Sequence, residues 1–193
     1  MSNPEFSLQL FNRAVEAKRQ GRYSEAIRLQ KESIAAYPED PDLMQNFYSM
    51  GKTYYLLENY SLSIACYKIY NGLCIVRNPD IIRDYIRLNK GDREALQRYA
   101  MAFRNLAHNV GHSALDGNNK YSNEKEVLWY KYELEGKNAN NLLSGYAGVA
   151  EQYDNECIDA GFAYIQDWTT AFVRNQNAEK NSILSMMRQI VES

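Results

Sequence analysis

One stretch of this chain occurs twice. Tyr23-Ser-Glu-Ala-Ile-Arg-Leu-Gln-Lys31 returns as Tyr60-Ser-Leu-Ser-Ile-Ala-Cys-Tyr-Lys68, 37 residues later, with Tyr, Ser, Ile and Lys in matching places. The same offset lays Leu10 on Phe47, Phe11 on Tyr48, Ala14 on Gly51 and Ala17 on Tyr54, so the segment before each copy repeats as well. A repeat of this length is one supersecondary unit that cannot bury its apolar face alone and must stack on a neighbour. The periodicity inside it is helical: Phe6, Leu10, Ala14 and Ala17 recur on one face, then break at Gln20-Gly21-Arg22, where glycine suits a helix end. A second helix over 23–37 carries Ala26, Ile27, Ile34 and Ala35 and is stopped by Pro38 and Pro41. In the second copy the corresponding helix runs on to about Arg77, ahead of Asn78-Pro79. No sustained two-residue alternation occurs, so the chain reads as all-α, with a helix pair as its unit.

These residues resemble the tetratricopeptide repeat (TPR) family, whose unit is a helix-turn-helix of about 34 residues. In the first unit Ala14 matches the close-packing place, Gly21 the turn, Tyr23 and Ala26 the start of the second helix, and Pro38 the end. In the second, Gly51, Tyr54, Tyr60 and Ser63 take those places. The resemblance implies a right-handed helical-hairpin array, a TPR-like solenoid, with divergent C-terminal helices. The expected domain is single over 1–193, with two recognisable repeats in 1–78, then degenerate repeats and capping helices in 79–193. Helices are expected at 80–88, ending at Asn89-Lys90-Gly91, and at 93–111. Phe103, Leu106, Ala107 and Val110 in the latter look like the first helix of a third unit. After a turn in DGNNKYSNE come a helix with Val127, Leu128, Tyr130, Tyr132 and Leu134, a pair over 140–153 and 156–174, and a last helix over 179–190.

First helices line the inner, concave surface in arrays of this kind, and second helices pack outside. The resemblance therefore places Phe11, Val15, Lys18 and Arg19, then Tyr48, Lys52, Tyr55 and Leu56, then Arg104, His108, Gly111 and His112 on the groove. Lys18, Arg19, Tyr48, Lys52, Tyr55, Arg104, His108 and His112 would bind the partner. A basic, aromatic groove suits an acidic, extended or C-terminal peptide segment. The family's clamp of Lys and Asn around a terminal carboxylate is not reproduced, since Phe11 and Val15 stand where polar residues belong.

The net charge of -2 and pI near 5.8 offer no general attraction to nucleic acid or an anionic membrane. Charges such as Lys68 and Arg77 interrupt the best apolar run well short of the roughly 20 residues that cross a bilayer. The N-terminus lacks a cationic start followed by an apolar run. Cys66, Cys74 and Cys157 make neither a CxxC pair nor an even framework, which fits reduced thiols and a cytoplasmic location.

Both histidines of the chain lie in Asn105–Gly117, NLAHNVGHSALDG. His108 and His112 share a helix face at i, i+4, with Asp116 one turn on, a geometry able to hold zinc. The catalytic glutamate of HExxH is replaced by Asn109. Gly111 and Asp116-Gly117-Asn118-Asn119 predict that the helix ends before Asp116 aligns. The histidines therefore read as groove residues, with no metal and no cofactor. GxGxxG, P-loop and GxSxG motifs are missing. Asp154-Asn-Glu-Cys-Ile-Asp159 reads as capping residues at a helix start, with Cys157 in the core. The Trp129-Tyr130-Lys131-Tyr132 cluster requires cover from the C-terminal helices or from a partner. The sequence thus points to a non-enzymatic protein- or peptide-binding adaptor. Two alternatives stay open: a dedicated one-partner chaperone or toxin-immunity protein, and a metal-binding enzyme or sensor at His108 and His112. A homo-oligomer is also open.

Overall fold

A computed structural model describes residues 3–117 and 143–193, with side chains from 151 onward in the second stretch apart from residue 152. The expected helix around 127–134, its aromatic cluster and most of the DGNNKYSNE turn lie outside the described residues. Among the described residues there are eight helices and no strand: α1 (Pro4–Arg19), α2 (Tyr23–Ala36), α3 (Leu43–Leu56), α4 (Tyr60–Arg77), α5 (Asp80–Leu88), α6 (Arg93–Gly117), α7 (Leu143–Arg174) and α8 (Gln176–Glu192). No helix among them is long and apolar enough to cross a membrane.

Local chemistry sets the boundaries. Asn3 caps α1, its Oδ1 accepting from Phe6 N at 3.0 Å, and Pro4 occupies the first turn, where a missing N–H costs nothing. Gly21 then adopts φ 73°, and Arg22 N donates back to Ala17 O at 2.9 Å. The turn recurs at the aligned place in the second copy: Glu58 has φ 56° and Asn59 N donates to Tyr54 O at 2.9 Å. It recurs again between α5 and α6, where Gly91 has φ 82° and Asp92 N donates to Arg87 O at 3.2 Å. Three helix pairs are therefore joined by one turn type, a left-handed residue that closes the helix end.

Small residues bring the paired helices together. In α1/α2, Ala14, Ala17 and Ala26 are buried, and Ser7 and Ser33 exchange hydroxyl-to-carbonyl bonds of 2.9 Å each. In α3/α4, a Cβ on Gly51 would stand 2.6 Å from the Tyr67 ring, and Ser63 donates to Gly51 O at 2.8 Å. One apolar cluster joins Ile27 and Ile34 of α2, Phe47 and Met50 of α3, Ile69 of α4, Phe172 of α7, and Ile183 and Ile190 of α8. A second joins Tyr67 to Tyr99, Phe103, Leu106 and Val110 of α6 and Ile165 of α7. Cys157 is buried in the core as expected.

Three expectations are corrected. The helix carrying both histidines does not stop near residue 111 but runs to Gly117, so Asp116 is helical. The expected pair over 140–153 and 156–174 is one continuous helix, α7. Asp154 and Glu156 consequently sit in mid-helix rather than at a helix start.

Candidate functional site

The site is built on the crossing of α6 and α7. A Cβ on Gly111 would fall 1.7 Å from Cys157 O, and one on Gly161 would fall 1.8 Å from Ala107 O. The partners advance along α6 as they retreat along α7, so the helices run antiparallel, backbone against backbone. Ala107 with Gly111 and Cys157 with Gly161 are each four apart, one small residue per turn on the facing sides. Further along, Tyr99 OH and Thr169 Oγ1 meet at 2.9 Å.

This close approach carries α7 side chains over the histidines. His108 Nε2 lies 3.1 Å from Asp154 Oδ1, His112 Nε2 lies 3.1 Å from His108 Nε2, and His112 Nε2 lies 3.5 Å from the same Asp154 oxygen. His112 Nδ1 faces Tyr153 OH at 3.1 Å. Tyr153 donates its hydroxyl hydrogen to Asp116 Oδ1, and Tyr55 donates to Asp116 Oδ2 at 2.6 Å. Burial first, and the bond to Asp116 second, push both phenols above their ordinary range, so both stay protonated donors. His112 is held below its ordinary value, by burial first and by His108 second, against the pull of Asp116 and Asp154. It is therefore a neutral ring near pH 7.

From there a polar strip crosses to α3 and α1. Tyr55 packs edge-on to His112, with ring centroids 6.1 Å apart. Asn109 Nδ2 donates to Tyr48 OH at 2.7 Å, and Lys52 Nζ stands 4.8 Å above the Tyr48 ring. Lys18 Nζ reaches from α1 to Ser49 Oγ at 3.0 Å. Burial, then Lys52, holds Lys18 below its ordinary value. Neither lysine has a carboxylate within ion-pair distance among the described residues.

Of the residues expected on the groove, Lys18, Tyr48, Lys52, Tyr55, His108 and His112 are thus brought onto one connected strip. Arg19 is not: it is 73% exposed and pairs with Glu16. Arg104 is exposed one turn before His108. Asp116, expected to fall out of line with the histidines, is on their helix but receives two phenols, and the carboxylate beside the histidines is that of Asp154. Sequence reasoning missed Asp154, Tyr153 and Asn109. The signal was the pairing of small residues on α6 and α7, which sets where the histidine face meets the second helix. The chain matches no protein-family model, no curated protein and no solved structure.

Proposed function

We propose that this chain is a non-enzymatic, TPR-like helical-hairpin protein whose strip of Lys18, Ser49, Lys52, Tyr48 and Tyr55 binds an acidic, extended segment of a partner protein. One observation carries the reading: the strip holds two lysines, Lys18 on Ser49 Oγ and Lys52 over the Tyr48 ring, and neither has a carboxylate within ion-pair distance among the described residues. Like charges kept close cost stability in the free protein, and an anionic ligand removes that cost. Ser49, Tyr48 and Asn109 add hydroxyl and amide groups beside the cations, and Tyr48 and Tyr55 add flat apolar surface, the mixture that holds an extended peptide. The left-handed turn shared by three helix pairs supports the hairpin array behind it.

The test is fluorescence anisotropy with labelled acidic peptides against neutral peptides of equal length, on the full chain. Acidic peptides bind with an affinity that falls as salt rises, and Lys18→Glu/Lys52→Glu weakens them by about 10-fold or more, two ion pairs of roughly 1 kcal/mol each being reversed. Equal binding of neutral peptides, or affinity unchanged by the double reversal, refutes the reading.

A further inference from the structure

His108 Nε2, His112 Nε2 and Asp154 Oδ1 converge with separations of 3.1, 3.1 and 3.5 Å. Donor atoms bonded to one ion at about 2.0–2.2 Å sit roughly 3.0–3.5 Å from each other, so the triangle already has the spacing of a coordination sphere. Its hydrogen count points the same way. Tyr153 donates its hydroxyl hydrogen to Asp116, so its oxygen faces His112 Nδ1 as an acceptor, and Nδ1 carries the hydrogen. In the tautomer that this bond selects, His112 presents a lone pair at Nε2. Asp154 contributes only lone pairs, which leaves at most the one hydrogen of His108 Nε2 among three converging acceptor-capable atoms. A single hydrogen satisfies one of the three contacts; a cation satisfies all of them.

We propose that His108, His112 and Asp154 form a three-ligand site for a first-row divalent transition ion, with zinc the best-suited occupant. Two imidazoles disfavour calcium and magnesium, which take oxygen ligands, and favour zinc or its neighbours. The surroundings are those of a metal-binding histidine: the second ring nitrogen of His112 is held by Tyr153, and Tyr153 by Asp116, which fixes tautomer and ring plane. Asp116, Tyr153 and Tyr55 are positioning residues. Side-chain exposures of 38% for His108 and 42% for Asp154 leave one side of the triangle facing solvent, where water or a ligand atom completes the coordination. The ion is bound without any change of oxidation state.

The experiment is calorimetric titration of the untagged, EDTA-treated full chain with Zn²⁺, and with Co²⁺ while recording its visible absorption. The expected result is one ion per chain, with Co²⁺ bands of a low-coordinate nitrogen and oxygen site. His108→Ala and Asp154→Asn, both at partly exposed positions and checked for fold by circular dichroism, each weaken binding by about 100-fold or more, beyond the roughly 10-fold loss for Tyr153→Phe. Lys18→Glu/Lys52→Glu binds the ion as the native chain does, so the site stands or falls separately from the peptide strip. Absence of saturable binding, or binding that survives His108→Ala, overturns the proposal.

Discussion

Replacing Gly111 by alanine sets two effects of opposite sign against each other. Gly111 lies within α6, where alanine is the better helix former by about 1 kcal/mol, so helix propensity alone makes Gly111→Ala stabilising. The added methyl carbon, however, would lie 1.7 Å from the Cys157 carbonyl oxygen, whereas carbon and oxygen rest at about 3.3–3.6 Å. Neither atom belongs to a flexible side chain that can turn aside, so α6 and α7 must part by roughly 1.5 Å at their crossing. Parting also loosens Phe103, Val110 and Ile165, which share the cluster beside it. Overpacking a core costs about 1–3 kcal/mol where side chains can adjust, and a backbone-to-backbone clash belongs at or above the top of that range. After subtracting the propensity gain, the expected net loss is about 2 kcal/mol or more, and Tm falls by about 4–8 °C for a chain of this size. Thermal unfolding followed by circular dichroism reads it directly. Gly117→Ala is the control: its methyl would meet Tyr60 Cβ at 3.0 Å, a contact that a shift of a few tenths of an ångström relieves. A Gly111→Ala protein as stable as the native chain, or more stable, would refute the close crossing and with it the placement of Asp154 beside the histidines.

Three further outcomes follow from single side chains. Gln30 is buried with neither amide atom partnered among the described residues, so Gln30→Met, which keeps the volume and removes the desolvated amide, raises stability by about 1–2 kcal/mol in urea unfolding. Lys18 has a folded-state pKa below its ordinary 10.5, so the unfolded chain holds that proton more tightly; the charged lysine costs stability at neutral pH, and the cost fades as pH rises through the depressed value to 10.5. Lys18→Met is accordingly more stable than the native chain at pH 7, by about 0.5 kcal/mol after solvent screening, with a smaller advantage at pH 10.5 and weaker acidic-peptide binding. An equal advantage at both pH values counts against this account. Glu58 holds φ 56° without glycine's freedom, so Glu58→Gly stabilises by about 0.5–1 kcal/mol in the same denaturation assay, and a loss would show that the side chain contributes there.

The repeated N-terminal half was legible because repetition makes each expectation twice. The offset of Tyr23 to Tyr60 holds down to the bond from Arg22 N to Ala17 O and its copy from Asn59 N to Tyr54 O. Glu58 shows what composition hides: its place in the repeat, not its residue type, marks the left-handed turn. The region after Pro79 was less legible for a physical reason. Gly111 and the Asp116-Gly117 pair weaken a helix locally, yet α6 passes Gly111 and extends to Gly117 because packing on α7 outweighs propensity. Asp154-Asn-Glu resembles a helix start for the same local reasons, while α7 passes straight through it. The facing of His108 by Asp154, 46 residues away, is a product of helix crossing that neither helix's own pattern contains.

The last helix, α8, lies against the second hairpin. A Cβ on Gly72 of α4 would stand 2.6 Å from Ile183, and Ile183 and Ile190 complete the cluster that Ile27, Phe47 and Ile69 begin. During synthesis those early residues leave the ribosome more than a hundred residues ahead of the side chains that cover them, an interval of about 6–30 s at ordinary elongation rates. Through that interval the first two hairpins lack the apolar cover that Ile183 and Ile190 supply. The covering of that cluster therefore waits for α8, and a chain interrupted before Gln176 lacks Ile183 and Ile190 and leaves it open.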